Sequence, residues 1–156
     1  MRLKGALTLQ GKFIIRHYRN GKLIDEEEIT NTITNAGKAK VAGLINEVTS
    51  GGFKWIALGD SSTAATANDT ALASEITGSG LGRAQATCSR VTTDVSNDTA
   101  QLVHTFVATG TVSVKEAGIF DTSTANAGTM LARQTFTAKN LEANDSLEVT
   151  YKVKVA

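Results

Sequence analysis

The alternation of apolar and polar residues is most regular near the end of the chain, where it predicts a β-strand over residues 146–156. A period of two places one face of a strand in the core and the other face in solvent. The apolar positions are Leu147, Val149, Tyr151, Val153 and Val155, and the residues between them are polar or charged. Looser patterns of the same kind predict strands over 53–59, 84–94, 100–109, 111–120 and 130–139.

The beginning of the chain predicts a long β-hairpin. Residues 6–19 form one strand and residues 22–32 the return strand, and the turn Asn20-Gly21 suits type I′, in which both central residues have positive φ. The return strand carries the acidic run Asp25–Glu28. Adjacent carboxylates on an extended strand point to opposite sides. We therefore expect a solvated face, or one that meets a basic neighbouring subunit, rather than a calcium site.

One segment has the period of a helix, and it predicts an α-helix over about 35–48. Its apolar residues recur at i, i+3, i+4 and i+7, which places them on one helical face. These residues are Val41, Leu44, Ile45 and Val48. Thr34 or Asn35 can cap the first turn, and Gly51 and Gly52 are expected to end the helix.

These patterns predict a single domain over residues 1–156 that is mainly β: an antiparallel β-sandwich or jelly-roll-like fold with one packed α-helix. Proline is absent and aromatic residues make up 5% of the chain. Threonine and small residues are abundant, which suits many short strands. Residues 1–12 are expected to form an extended N-terminal arm.

The charge and hydropathy of the chain argue against two classes of partner. The 156 residues include 16 basic and 15 acidic side chains, for a net charge of +1. A nucleic-acid groove needs excess positive charge, so no nucleic acid is predicted as a partner. No apolar run approaches the roughly 18 residues of a membrane span. The opening MRLKGALTLQGK has no signal-peptide pattern, so we expect synthesis in the cytoplasm and no membrane partner.

The sequence predicts no metal site and no cofactor. Cys88 is the only cysteine, so no intrachain disulfide can form. His17 and His104 are far apart in the sequence and do not form a cluster of metal ligands. A lone histidine in a strand is most often a packed or half-exposed residue. The glycines of GSGLG do not have the spacing of a dinucleotide-binding loop.

A serine nucleophile is the one catalytic hypothesis that the sequence suggests. Gly59, Asp60 and Ser61 follow an apolar strand, and this triplet resembles the opening block of GDSL-type esterases. A serine nucleophile needs a base, which that family carries in an Asp-x-x-His block near its C-terminus. Neither histidine here has an aspartate three residues before it. We therefore predict no enzyme, and a serine esterase acting through Ser61 or Ser62 is a remote alternative.

Two structural roles are expected for charged residues. Glu116, in SVKEAGIFD, is expected to be half-buried and therefore to need a cationic partner. Arg133, in MLARQTF, is the partner we predict, in a pair that fixes two neighbouring strands. Asn68 or Asp69 could cap a brief helical turn over Leu72.

Five segments in this order resemble a known group of proteins. They are NTITNAGKAKVAGLI (31–45), KWIALGDSSTAATANDTALASEI (54–76), VKEAGIFD (114–121), TMLARQTF (129–136) and NDSLEVTYKVKV (144–155). The chain resembles small virion proteins of tailed bacteriophages, which include head-decoration proteins and tail- or fibre-associated proteins. The resemblance implies that certain positions determine the fold and implies no catalytic site. These positions are Gly59, Asp69, Leu72, Glu75, Glu116, Gly118, Phe120 and Arg133.

The resemblance implies a virion structural protein that is made in the host cytoplasm. The favoured role is a capsid decoration (cement) protein that forms a homo-oligomer, with a trimer favoured, and binds other virion proteins such as the major capsid protein. Residues 1–12 or the loops at 60–70 and 121–129 are expected to make the contacts. The alternative is a tail fibre, collar or baseplate component that binds a host receptor.

Overall fold

The computed structural model describes residues 4–156, and these form ten strands and one helix. The strands are β1 (Leu9–Arg19), β2 (Lys22–Thr30), β3 (Thr32–Ile33), β4 (Trp55–Gly59), β5 (Ala84–Gln85), β6 (Thr87–Val91), β7 (Thr99–Val107), β8 (Val112–Phe120), β9 (Met130–Leu141) and β10 (Ser146–Val155). The helix α1 spans Asn35–Ile45. The expectation of a mainly β fold with one helix is confirmed.

The strands form two five-stranded sheets in which every pairing is antiparallel. The first sheet has the order β2-β1-β10-β7-β6 and the second sheet has the order β3-β9-β8-β4-β5. Apolar residues of both sheets meet in one core, as the alternation within the strands predicts. Its fully buried members include Phe13, Ile15, Ile56, Leu58, Ile119, Leu147, Val149 and Tyr151.

The chain passes between the two sheets four times, and at two of these passages a single residue forms the corner between consecutive strands. At the first, Asn31 separates β2 from β3, and its backbone N–H donates to the carbonyl of Gly11 at 3.1 Å. At the second, Ala86 separates β5 from β6, and its N–H donates to the carbonyl of Lys54 at 2.8 Å. The single strands predicted over 22–32 and 84–94 are therefore each divided into two strands, one in each sheet. A strand that changes sheets in this way forms a corner of a sandwich.

The opening hairpin is present with the predicted turn. Asn20 and Gly21 have φ values of 50° and 72°, both positive as a type I′ turn requires. The preceding strand β1 begins at Leu9 and pairs with β10 from its first residue. Thr8 also exchanges backbone hydrogen bonds with Ala156, so the expected arm over residues 1–12 is wrong for residues 8–12. Residues 1–3 of that arm lie outside the described residues.

The helix is shorter than predicted, and its predicted apolar face is only partly correct. Thr34 caps it as expected, accepting a hydrogen bond from the Gly37 N–H, but α1 ends at Ile45. The chain then turns back on itself, because the N–H of Thr49 donates to the carbonyl of Gly43 at 3.2 Å. Ile45 is 72% exposed and Val48, outside the helix, is 78% exposed. Gly51 and Gly52 lie beyond the helix and do not end it.

The outer face of the second sheet is covered by a long loop, residues 60–83, that follows β4. Leu72 from this loop lies in a second, smaller apolar cluster with residues of β4, β8 and β9. The other members of this cluster are Trp55, Ala57, Phe120 and Met130. Further along the loop, Leu81 is fully buried in the main core. We call residues 60–83 the anchored loop, because buried charged side chains hold it in place.

Candidate functional site

The eight residues that the sequence singled out lie together between the anchored loop and the second sheet. Asp69, Leu72 and Glu75 belong to the loop. Gly59 ends β4, and the others lie on β8 and β9, the next strands of the sheet. In the strand register, Glu116 pairs with Gly59 and Gly118 with Arg133. Residues that are far apart in the sequence therefore meet under one loop.

The predicted ion pair between Glu116 and Arg133 is present, and it is buried more deeply than expected. Glu116 is fully buried and Arg133 is 1% exposed. The Arg133 Nε donates to Glu116 Oε2 at 2.8 Å. The same carboxylate accepts hydrogen bonds from the backbone N–H groups of Ala73, at 3.2 Å, and Ser74, at 2.8 Å. Glu116 therefore joins β9 to the loop as well as to its own strand.

The remaining donors of Arg133 bind the beginning of the anchored loop. Its guanidinium donates to the carbonyl of Thr63 at 2.7 Å and to that of Ala64 at 3.3 Å. It also donates to Asp69 Oδ2 at 2.8 Å. A planar guanidinium with five donors can satisfy several acceptors at once, which makes its burial tolerable.

Asp69 organises the loop around itself. No helical turn forms over Leu72, which corrects the prediction that Asn68 or Asp69 would cap one. Instead, the Asp69 carboxylate accepts hydrogen bonds from the N–H and the hydroxyl of Thr66, at 2.9 and 2.8 Å. Burial alone would raise the pKa of Asp69, but the hydrogen bonds from Thr66 and Arg133 outweigh it and lower that pKa.

A second buried arginine, Arg83, holds the other end of the anchored loop. Its Nε and one terminal nitrogen donate to the two carboxylate oxygens of Glu75, at 2.9 and 2.8 Å. Its other terminal nitrogen donates to the carbonyls of Thr122 and Ala127, each at 3.0 Å. The guanidinium also lies 3.7 Å from the centroid of the Phe120 ring. Arg83 thus joins the anchored loop to the 121–129 loop.

Two glycines are required because the layers approach closely. A Cβ atom at Gly59 would overlap Glu116 Oε1 and would lie 2.5 Å from the carbonyl oxygen of Ser74. A Cβ atom at Gly118 would lie 2.8 Å from a methyl carbon of Leu72. The contact of Gly59 with Ser74 involves the backbone, which cannot move aside as a side chain can. Gly59 therefore permits the loop to pair with the edge of β4.

Sequence reasoning missed a second charged cluster, which holds the end of the opening hairpin. Asp145, before β10, accepts hydrogen bonds from the His17 ring at 2.8 Å and from Arg19 at 2.8 to 3.2 Å. It also accepts one from the N–H of Glu142 at 2.9 Å. The hydrogen bonds from Arg19, and those from Glu142 and His17, hold the pKa of Asp145 well below its usual range. A lone aspartate in a turn gave no sequence signal of this role.

The acidic run on β2 finds its partners within the chain. Asp25 and Glu27 both bind Lys139 of β9, at 2.8 and 3.1 Å, so they connect the two sheets. Glu26 and Glu28 point to the other side, where they bind Arg16 and Lys12 of β1 at 3.2 and 2.6 Å. The expected alternation of sides is confirmed, and cations of the same chain lie against these carboxylates.

The residues of the esterase hypothesis lie apart. The Ser61 hydroxyl donates to Thr63 Oγ1 at 3.0 Å and accepts a hydrogen bond from the Thr63 N–H at 3.1 Å. His17 is bound to Asp145 in the first sheet. His104 is half-buried and packs edge-to-face on Phe106, with ring centroids 4.6 Å apart. Its burial lowers the pKa of His104. The structure therefore does not bring a histidine to Ser61.

Within residues 4–156, no helix is long and apolar enough to cross a membrane. The same residues contain no group of three or more histidine, cysteine, aspartate or glutamate side chains arranged to hold a metal ion. No protein-family model matches the chain, and no significant match was found among curated proteins or among solved structures.

Proposed function

We propose that this chain is a structural protein of a tailed-bacteriophage virion, and that it acts as a capsid decoration (cement) protein. The observation that supports the proposal is the buried network under the anchored loop. Arg133, Glu116 and Asp69 belong to the segments that resemble virion proteins. Their hydrogen bonds connect β8 and β9 to the anchored loop. Such positions act as fold determinants, as expected of a protein whose role depends on its shape.

The network also gives a physical reason why the loops suit assembly. All residues of the loops at 60–70 and 121–129 are exposed or half-buried, yet their backbones are fixed to the buried Arg133 and Arg83. A loop that is already ordered loses little conformational entropy when it binds a partner. A decoration protein that binds only the assembled capsid stabilises it by mass action. Contacts from each copy of an oligomer then add through avidity.

A surface beside the helix is suited to contacts between subunits. Leu7 and Ile45 are 60% and 72% exposed. They line a groove of about 540 Å³, together with Leu9 and Val41. Exposed apolar residues that lie together are typical of interaction surfaces. This groove lies next to the N-terminal segment, where the sequence placed one of the contacts.

The test is deletion of this chain from the phage that encodes it. A decoration protein predicts heads that lose DNA at a lower temperature than wild-type heads, with tail length and adsorption unchanged. Supplying the purified protein to the deficient particles should restore their heat resistance. Heat-resistant heads combined with lost adsorption would contradict a head location and support a tail-side component. For the esterase alternative, labelling of Ser61 or Ser62 by a fluorophosphonate probe would contradict a purely structural role.

A further inference from the structure

A shallow cavity of about 290 Å³ lies on the outer face of the first sheet, across β1 and β10. Its lining includes Gln10, Gly11, Lys12, Thr30, Lys152 and Lys154. Gly11 contributes main chain, since the direction of its missing Cβ points to Asn31 and the Tyr151 hydroxyl in the interior. We propose that this lysine-lined cavity binds an oxyanion group, a phosphate or a sulfate, chiefly through Lys152.

Two of the lysines lie directly opposite each other. In the register of β1 and β10, Lys12 pairs with Lys152, and both side chains project away from the core. Like charges at directly opposed positions of an antiparallel pair are unfavourable. An anion between the two ammonium groups would replace this repulsion with attraction to both.

The charges around the cavity leave one ammonium group available. Lys12 binds Glu28 at 2.6 Å and Lys154 binds Asp94 at 2.5 Å. Across residues 4–156, no carboxylate lies within 4.0 Å of the Lys152 ammonium group. Three ammonium groups therefore share two carboxylates, since Glu28 also attracts Lys152 from beyond 4.0 Å, and one net positive charge remains at the cavity.

The neighbouring ion pairs are of a kind that a ligand can replace. The carboxylate side chains of Glu28 and Asp94 are 54% and 65% exposed, and exposed pairs contribute little to stability. Lys12 and Lys154 can therefore turn towards a bound anion at small cost. Lysine ammonium groups bind phosphate as point charges. The Gln10 amide and the Thr30 hydroxyl add neutral hydrogen-bond donors at the edge of the cavity.

The test is isothermal titration of the full chain with inorganic phosphate at constant ionic strength. Saturable binding is expected for the wild type, and Lys152→Arg, which keeps the charge, should retain it. Lys152→Gln should weaken binding about tenfold, the size expected for the loss of one charge-assisted contact. The matched control is Lys22→Gln at the exposed start of β2, which should change the affinity less than twofold, about 0.4 kcal/mol or below.

A second titration, with glucose 6-phosphate, separates the two sources of the oxyanion. Tighter binding than inorganic phosphate indicates a phosphorylated saccharide, and equal binding indicates a free oxyanion; either result agrees with the proposal. Absence of phosphate binding by the folded wild type would overturn it. Equal weakening by Lys152→Gln and Lys22→Gln would also overturn it, because that result indicates general attraction to positive charge. The site does not depend on the virion role proposed above.

Discussion

At the scale of single residues, the outer layer of the second sheet depends on two buried arginines. The side chains of Arg83 and Arg133 are 1% and 2% exposed, yet their guanidinium groups bind carboxylates and loop carbonyls. A buried charge is tolerated only when it is paired and its hydrogen bonds are made. Lysine at these positions could not bind so many acceptors in one plane. The two arginines therefore fix the anchored loop at its two ends.

Replacement of Arg133 by methionine is expected to be strongly destabilising. The variant Arg133→Met leaves Glu116 buried without its cation, which typically costs about 3–5 kcal/mol of unfolding free energy. Urea denaturation measures this loss. The control is Arg90→Met on β6, an exposed position where a change within about 0.5 kcal/mol is expected. Adding Glu116→Gln to Arg133→Met should recover part of the loss, and no recovery would contradict the assigned pairing.

Replacement of Gly59 by alanine tests the close approach of the loop to β4. The added methyl group would overlap the Glu116 carboxylate and the backbone carbonyl of Ser74. Overpacking of this kind typically costs about 1–3 kcal/mol. Gly52→Ala is the control, since a Cβ atom there meets nothing within 4 Å. Equal stability of the Gly59→Ala and Gly52→Ala variants in urea would contradict the described packing.

At the scale of elements, the anchored loop should make stability depend on pH in the acidic range. The folded pKa of Asp69 lies below its unfolded value, so the unfolded chain binds the proton more readily. Its contribution is complete above the unfolded pKa, about 3.9, and is lost as the pH falls through the folded pKa. We expect Asp69→Asn to flatten the fall of unfolding free energy below about pH 4. Asp60→Asn is the exposed control, and an equal slope in both variants would contradict this role.

The start of α1 gives a second test at this scale. The Thr34 hydroxyl accepts from the Gly37 N–H at 2.8 Å and donates to the carbonyl of Met130. Thr34→Ala removes both contacts at a buried position, and the loss of an N-cap typically costs about 0.5–2 kcal/mol. Thr70→Ala, at an exposed position in the anchored loop, is the control. Thermal unfolding followed by circular dichroism measures both, and unchanged stability of Thr34→Ala would show that the cap is dispensable.

Most strands were predictable because alternation has a fixed period and needs no knowledge of the partner strand. The corners at Asn31 and Ala86 were not predictable, because the alternation of apolar and polar residues is the same whether or not a strand changes sheets. The end of α1 was also missed. Ile45 and Val48 have the spacing of a helical face, but α1 ends at Ile45 and the backbone turns at Glu47, which has a φ of 61°. Tertiary contacts determine where a strand changes sheets and where a helix ends, and the local sequence contains little information about them.

The buried network was predictable only where a charged residue stood in an apolar strand. Glu116 and Arg133 both interrupt apolar runs, which predicted that each needs a partner. Arg83 follows a glycine-rich segment and gave no such signal, although it is as deeply buried. The Asp145 cluster likewise depends on the register that brings β1 beside β10. Sequence therefore indicates which charges are constrained, but topology decides which partners they meet.

At the scale of the whole molecule, the structure covers both sides of the second sheet, next to β9 and next to β4. The edge of β9 beyond β3 is covered by Glu27, whose carboxylate accepts from the Thr137 N–H at 3.2 Å. The edge of β4 is covered by the anchored loop, where the N–H of Ile76 donates to the carbonyl of Leu58 at 2.8 Å. Covered edges resist unspecific pairing of strands between molecules. This favours association through defined surfaces, such as the groove beside α1.

The oligomeric state of the isolated protein tests whether the groove beside α1 is an interface. We expect a homo-oligomer, with a trimer favoured, when sedimentation equilibrium is measured over a range of protein concentrations. Ile45→Asp should weaken association, because it places a charge in the apolar groove. Val95→Asp, at another exposed apolar residue, is the matched control and should leave association unchanged. A wild type that remains monomeric at all concentrations would contradict self-association.

The copy number of the chain in purified particles of the phage that encodes it tests the virion role most directly. Quantitative mass spectrometry, with the major capsid protein as the internal standard, measures it. A decoration protein predicts hundreds of copies per particle, in a fixed ratio to the capsid subunits. Complete absence of the chain from particles would contradict a virion role, and a handful of copies would contradict decoration in favour of a tail component.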